Sequence, residues 1–104
     1  MKEIKAIIRP FKLLEVIEAM QEIENLPGVT ISEIKGFGKS KPSNLDLISF
    51  TKIEVVVNDE MADKVVNTIQ QTAHTGNTGD GKIFVIPVEN VVKIRTNKTG
   101  SSAV

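Results

Sequence analysis

The sequence predicts one α+β domain in which an antiparallel sheet carries two helices on one face. Short apolar segments with a two-residue period alternate with longer segments whose apolar residues recur every three or four positions. The predicted order is strand, helix, strand, long loop, strand, helix, strand and a short fifth strand. This order repeats a strand–helix–strand unit, as in the split βαβ arrangement. The first two strands, which a helix joins, cannot then be hairpin partners.

The first half of the chain supplies one such unit. Residues 3–9 form a short apolar strand, and from Lys12 the period becomes that of an amphipathic helix, which ends before Pro27-Gly28. The apolar positions of this helix are Leu13, Val16, Ile17, Met20 and Ile23. Residues 29–35 return to alternation with Ile34 out of phase, which is the pattern of a β-bulge.

The second half repeats the unit after a loop at residues 39–50, whose length and lack of period indicate a functional role. Residues 51–58 alternate as a strand, and Asp59 and Glu60 open a second helix at its positive end. The inner stripe of this helix is Met61, Val65, Ile69 and Ala73, with Gly76 as the C-terminal cap. Residues 83–88 are a strand, residues 91–96 are a fifth extended piece, and residues 97–104 are a mobile tail.

The composition indicates a single cytoplasmic domain and excludes several classes of function. The 104 residues include 13 basic and 13 acidic side chains, so no basic footprint for nucleic acid or an anionic membrane is present. No apolar run approaches the ~20 residues of a membrane span, so no membrane insertion is expected. The N-terminus lacks the apolar stretch of a signal peptide. With no cysteine and one histidine, the chain has no disulfide or thiolate metal site, and a zinc site is disfavoured.

A glycine-rich loop has the spacing of a P-loop but lacks its magnesium-binding hydroxyl. Gly76-Asn77-Thr78-Gly79-Asp80-Gly81-Lys82 precedes Ile83, where a P-loop requires Ser or Thr. The following residues are strand-like, so no helix dipole serves the phosphates. The glycines let backbone N–H groups converge in an anion-binding nest, and Lys82 adds a positive charge. The loop therefore predicts phosphate binding without hydrolysis, and the alternative is an ordinary turn.

Other polar residues fit either a ligand site or an ordinary surface. Lys93 and Arg95 share one face of the predicted fifth strand, where they clamp a polyphosphate or protect a solvated edge strand. Glu54, among apolar neighbours in a strand, faces solvent or accepts hydrogen bonds from a ligand. His74 is typical of a helix end. Thr75 and Thr78 have no evident activating partner, so catalysis has little support.

Taken together, these motifs resemble the PII nitrogen-regulatory signal-transduction family over nearly the whole chain. The resemblance treats residues 1–104 as a single domain. It covers the opening strand and helix start at residues 6–13, the run into the T-loop at 35–38, the strand leaving it at 52–57, the C-terminal signature at 75–88, and the C-loop at 92–96. By this resemblance the T-loop spans residues 39–50, the B-loop residues 74–82 and the C-loop residues 91–96.

The resemblance implies a ferredoxin-like trimer that binds ATP, ADP or AMP in the clefts between subunits. The glycine loop would wrap the phosphates, with the C-loop cations reaching over from the neighbouring subunit. The implied nucleotide-binding residues are Ile8, Gly28, Thr30, Gly36, Phe37, Gly38, Glu54, Val56, Thr78, Gly79, Asp80, Gly81, Lys82, Lys93 and Arg95. Of these, Gly28, Thr30, Glu54 and Val56 would line the adenine end, and Ile8, Gly36, Phe37 and Gly38 would lie near the ribose and phosphates. No catalytic or resident metal site is implied, and a role for Mg²⁺ stays open.

Departures from the family pattern indicate a divergent member with a shortened T-loop. The loop contains no tyrosine, so the residue that is uridylylated in enteric members is absent. Ser40 stands where a glutamine helps to hold Mg²⁺ for 2-oxoglutarate, Phe50 stands where a lysine binds that ligand, and Lys93 replaces an arginine. We therefore expect a second ligand other than 2-oxoglutarate. Bicarbonate, read by Lys39 or Lys41, is one alternative.

The predicted function is that of a cytoplasmic sensor rather than an enzyme. Adenine nucleotides would compete for its clefts, and residues 39–50 would regulate a partner, either a membrane transporter or a metabolic enzyme. The alternatives are a regulator of bicarbonate acquisition or metal efflux, a weak ATPase, and a nucleotide-independent trimeric scaffold. Ile83 argues against the ATPase, because it cannot ligate Mg²⁺.

Overall fold

The structure, a computed structural model, describes residues 1–38 and 47–104. In these residues it has the elements β1 (Lys2–Ile8), α1 (Leu13–Gln21), β2 (Thr30–Gly36), β3 (Ile48–Val57), α2 (Asp59–Ala73) and β4 (Gly81–Pro87). Short 3-10 helices occupy Pro10–Lys12 and Gly100–Ala103. The strands form one antiparallel sheet in the order β2–β3–β1–β4. Because β3 lies between β1 and β2, the predicted separation of the first two strands is confirmed.

The core lies between one face of the sheet and both helices. Alternate residues of β1 and β3 are buried against the helices, as the two-residue period predicts. The buried side chains are Ile4, Ala6, Ile8, Val16, Met20, Ile23, Ile53, Val55, Val57, Ala62, Val65, Ile69 and Ala73. Fully burying one of the larger aliphatic side chains contributes roughly 1.5–3 kcal/mol. The predicted α+β fold with both helices on one face is confirmed. Among the described residues, neither helix is long and apolar enough to cross a membrane.

The predicted β-bulge in the second strand is wrong. The pairing of β2 with β3 is continuous from Thr30 opposite Glu54 to Gly36 opposite Ile48. Ile31 and Ile34 therefore point to opposite faces of the sheet, and Ile31 is 42% exposed. The out-of-phase isoleucine reflects an edge strand with an apolar residue on each face, not a shift of register.

The third strand begins earlier than predicted. β3 starts at Ile48, so residues 48–50 of the predicted T-loop are strand residues paired with β2. Ile48 is apolar but exposed. The apolar and polar residues at the start of β3 therefore do not alternate in the way that identifies a strand from its sequence. The rest of the predicted T-loop, residues 39–46, lies outside the described part of the chain.

The C-terminal region also differs from the prediction. Residues 91–96 form no strand: they contain one antiparallel bridge, between Val92 and Thr99, followed by a turn at residues 94–96. Lys93 and Arg95 therefore do not share a strand face. The tail predicted to be mobile packs instead on the domain, because Ala103 in its 3-10 helix is buried at 7% exposure. Its small residues allow close packing, although their composition resembles that of a flexible tail.

Replacing Gly81 with alanine should destabilise the fold. Gly81 has a φ of 104°, and a Cβ built on it would lie 1.7 Å from the carbonyl oxygen of Ile7. We expect Gly81→Ala to lower the free energy of unfolding by roughly 2–4 kcal/mol, through backbone strain and displacement of β1. Chemical denaturation at fixed protein concentration measures this. The control is Gly28→Ala, whose Cβ would meet nothing within 4 Å. Equal stability of the two variants would contradict the proposed close approach.

Candidate functional site

The sheet face opposite the helices carries most of the candidate residues. On this face Lys5 lies between Glu54 of β3 and Phe84 of β4. The Lys5 ammonium lies 5.5 Å from the centroid of the Phe84 ring, and the Lys52 Nζ lies 3.5 Å from the Glu54 Oε1. Glu54 is therefore half-buried on a mixed polar and aromatic surface. This placement is compatible with both interpretations from the sequence: Glu54 faces solvent, or it accepts hydrogen bonds from a ligand.

One end of this face forms a concave surface of about 460 Å³, here called the glycine cleft. The end of β2 and the start of β4 lie at the same end of the sheet, and β3 and β1 lie between these two edge strands. The cleft brings together six of the residues implied to bind nucleotide, namely Gly36, Phe37, Gly38, Gly79, Gly81 and Lys82. Gly81 and Lys82 belong to β4 rather than to the preceding loop, so the orientation of Lys82 is fixed by the sheet.

Asp80 organises the loop from within. Its carboxylate accepts hydrogen bonds from the Thr75 amide at 2.8 Å, from the Gly76 amide at 2.9 Å, and from the Thr75 hydroxyl. These bonds, the one from the Thr75 hydroxyl first, lower the pKa of Asp80 below its ordinary value of 3.8. A carboxylate held this way shapes the loop and repels phosphate, so its position does not suit direct phosphate contact. Thr75, which sequence reasoning left without a partner, is the residue that holds it.

The loop begins differently from the prediction. The C-cap of α2 is His74, whose backbone is extended, and Gly76 follows two residues later with a φ of 87°. Gly76 is therefore a turn residue and not the helix cap. Thr78 is exposed in the same loop. Within the described residues, the amides of Thr78 and Gly79 have no hydrogen-bond partner, so these donors can serve an anion.

Arg9 is a neighbour of the glycine cleft that sequence reasoning missed. Its Nη1 lies 3.0 Å from the position of a Cβ on Gly79, and its guanidinium carbon lies 5.9 Å from the Phe50 ring centroid. The Arg9 Nε is buried and has no hydrogen-bond partner among the described residues. In the sequence Arg9 marked only the end of a strand. The pairing of Ile8 with Gly81 is what brings it beside the loop.

A second concave surface, here called the Glu54 cleft, lies at the other end of β2. Its volume is about 360 Å³. It contains the four residues implied at the adenine end, together with six that were not predicted. The lining includes Gly28, Thr30, Glu54, Val56, Val91, Ala103 and Val104. Ile8 reaches neither surface with its side chain, because that side chain is buried in the core.

Among the described residues, the two clefts are separate surfaces that share no lining residue. They lie at opposite ends of β2, whose 7 residues correspond to a length of about 20 Å. Lys93 and Arg95 line neither cleft and are exposed on the C-terminal turn. Among the described residues, no group of three His, Cys, Asp or Glu side chains could hold a metal ion.

The fold and these surfaces define a class of small α+β domain with two open concave surfaces among its described residues. A model of the family described as "Nitrogen regulatory protein P-II" matches residues 1–98. The chain belongs to this family.

Curated relatives and a solved structure agree with this assignment. The chain is 48% identical to the nitrogen regulatory protein P-II of Azospirillum brasilense and 44% identical to the P-II 1 protein of Escherichia coli, and these matches cover 100% of both chains. The crystal structure of Arabidopsis thaliana PII bound to citrate superposes with a TM-score of 0.86 and 38% identity. That match covers 99% of this chain and 91% of the plant chain.

These comparisons do not bear out the prediction of a divergent member with a shortened T-loop. Identities of 42–48% extend over the full length of the bacterial relatives, so the chain is not set apart from them. The length of the T-loop itself depends on residues 39–46, which lie outside the described part.

The hydrogen bonds to Asp80 predict a titration at low pH. Because the pKa of Asp80 is lowered in the fold, these bonds persist above its ordinary value of 3.8 and break only as the pH falls through the lower folded value. The amide signals of Thr75 and Gly76, followed by NMR against pH, should therefore shift with a common midpoint below 3.8. Asp80→Asn should abolish this transition. A midpoint at or above 3.8 would contradict the bonding pattern.

Proposed function

We propose that the chain forms a cytoplasmic trimer that binds ATP, ADP or AMP between neighbouring subunits. The observation that carries this proposal is the separation of the glycine cleft from the Glu54 cleft. Each contains part of the expected residue set, and a second copy of the chain would bring the glycine cleft of one subunit against the Glu54 cleft of its neighbour. Nucleotide binding and trimeric assembly are general properties of the PII family, to which the chain belongs.

The chemistry of the glycine cleft suits phosphate. The loop offers amide donors, and Lys82 supplies a cation whose direction is set by β4. A hydrogen bond to a charged group contributes roughly 1.5–3 kcal/mol, more than a neutral one, so a few such contacts account for useful affinity. Arg9 adds a second cation close to Gly79.

The chemistry of the Glu54 cleft suits the adenine base. Glu54 accepts hydrogen bonds only, which matches the exocyclic amino group of adenine, and Thr30 lies directly opposite it on β2. Val56 and Val91 supply apolar surface for the ring. Lys93 and Arg95, on an exposed turn beside this cleft, would reach the phosphates held by the neighbouring subunit.

We further propose that residues 39–50 contact a regulated partner, a membrane transporter or a metabolic enzyme. The residues that flank the undescribed part of this segment are apolar and exposed: Phe37 at 60%, Leu47 at 48% and Ile48 at 44%. Exposed apolar side chains beside one another mark interaction surfaces, and protein partners are their usual occupants. Regulation of partner proteins is a general property of the family.

Removing the charge of Lys82 should weaken nucleotide binding. We expect Lys82→Ala to reduce the affinity for ATP by roughly 1.5–3 kcal/mol, measured by isothermal titration calorimetry, because a charged hydrogen-bond donor is lost. Lys64→Ala is the matched control, since Lys64 is exposed on α2 away from both clefts and removes the same charge. The assignment fails if Lys82→Ala changes the affinity by less than about twofold. Absence of nucleotide binding by the unmodified chain would overturn the proposed function itself.

Mixing two defective variants should restore part of the binding. Lys82→Ala and Arg95→Ala remove opposite halves of the proposed site, so each homotrimer should bind ATP weakly. In trimers reassembled from equal amounts of both, about one quarter of the clefts should contain Lys82 from one subunit and Arg95 from the next. Calorimetry should then show that fraction of clefts binding with normal affinity. Native mass spectrometry shows whether mixed trimers have formed. If they have formed and binding does not recover, Lys82 and Arg95 do not meet across a subunit boundary.

A further inference from the structure

Residues 91–100 form a tight turn that carries two of the candidate cations. At its base the Gly100 amide donates to the Val91 carbonyl at 3.0 Å, and nearer the tip the Lys93 amide donates to the Lys98 carbonyl at 2.8 Å. Asn97 closes the tip with a φ of 60° and donates from its amide to the Lys93 carbonyl at 2.8 Å. The backbone of Lys93 is thus held within the turn, and Arg95 lies at its tip.

One side chain joins the two ends of this turn. The Asn90 Oδ1 accepts hydrogen bonds from the Val91 amide at 2.9 Å and from the Gly100 amide at 3.1 Å. An asparagine oxygen has two lone pairs and can accept both bonds, and the Gly100 N–H is shared between this oxygen and the Val91 carbonyl. Gly100 has a φ of 74°, in the left-handed region that favours glycine. Asn90 therefore fixes where the turn leaves the domain.

The residues that follow attach the turn to the Glu54 cleft. The 3-10 helix at Gly100–Ala103 buries Ala103, and the Ser101 carbonyl accepts a hydrogen bond from the Asn58 side chain at 3.3 Å. Ala103 and Val104 line the cleft together with Val91. The base of the turn is thus part of the cleft wall, while its tip extends outward, with Ile94 95% exposed.

We propose that Asn90 and residues 100–104 form a clamp that positions Lys93 and Arg95 toward the phosphates of a nucleotide whose base lies in the Glu54 cleft. Asn90 is a positioning residue, because it contacts the turn and not the ligand. The inference rests on the proposed function and names what organises the C-terminal half of that site. Without the clamp, the two cations would sample many positions, and binding would include the cost of ordering them.

Affinity measurements with matched variants test the clamp. Asn90→Ala removes both bonds, and we expect ATP to bind about three- to tenfold more weakly, the range for one or two lost hydrogen bonds. Asn90→Asp keeps an acceptor oxygen and should stay within about twofold of the parent. Asn67→Ala, which removes the same side chain from an exposed position on α2 outside both clefts, should behave like the parent. AMP, with fewer phosphates, should lose less affinity than ATP in the Asn90→Ala variant.

A double-mutant cycle separates positioning from general stability. In a background of Lys93→Ala and Arg95→Ala, Asn90→Ala should cause no further loss of ATP affinity, because no cations remain to be positioned. An additive loss, or unchanged ATP affinity of Asn90→Ala alone, would overturn the clamp. If Asn90→Ala does not fold, Gly100→Ala takes its place, since its strain loosens the same junction without a steric clash. Failure of the parent protein to bind any nucleotide would instead overturn the proposed function.

Discussion

The close pairing of β4 with β1 determines how the rest of the candidate site is arranged. Gly81 approaches the backbone of Ile7 so closely that no side chain fits between them, and this contact fixes where β4 begins. The start of β4 in turn sets the direction of Lys82 and leaves only a short connection back to α2. Asp80 closes that connection by binding the Thr75 and Gly76 amides. The start of the glycine loop is therefore held by the protein's own hydrogen bonds, which reduces the entropic cost of binding an anion.

The length of the sheet imposes the second constraint. The two partial sites lie at opposite ends of one strand, about 20 Å apart, and the paired sheet holds them at that separation. Among the described residues, both clefts are open surfaces. The proposed second copy of the chain would add surface and bring the complementary half-site. The mixed polar and aromatic face of the sheet, with its half-buried Glu54–Lys52 ion pair, is open to such an association.

Sequence periodicity predicted the core and the helices well because burial there is one-sided and regular. Sequence periodicity gave wrong predictions where the buried residues do not recur with the period of a strand or a helix. Ile31 and Ile34 face opposite sides of an edge strand, and their pattern imitated a bulge. Lys93 and Arg95 have strand-like spacing but lie on a turn that is held by contacts with Asn90 and Lys98. Arg9 could not be assigned to the site from the sequence, because only the register of β1 with β4 brings it near Gly79. The glycine loop was the most informative motif. Its residues are consecutive in the chain, so the sequence alone was enough to identify it.

The central claim is that one nucleotide is shared between two subunits. A crystal structure of the protein with ATP tests it most directly. The adenine base is expected against Glu54 and Val56 of one subunit, with the phosphates against Gly79 and Lys82 of its neighbour. A nucleotide whose base and phosphates both contact a single chain, or one bound away from the two clefts, would contradict it.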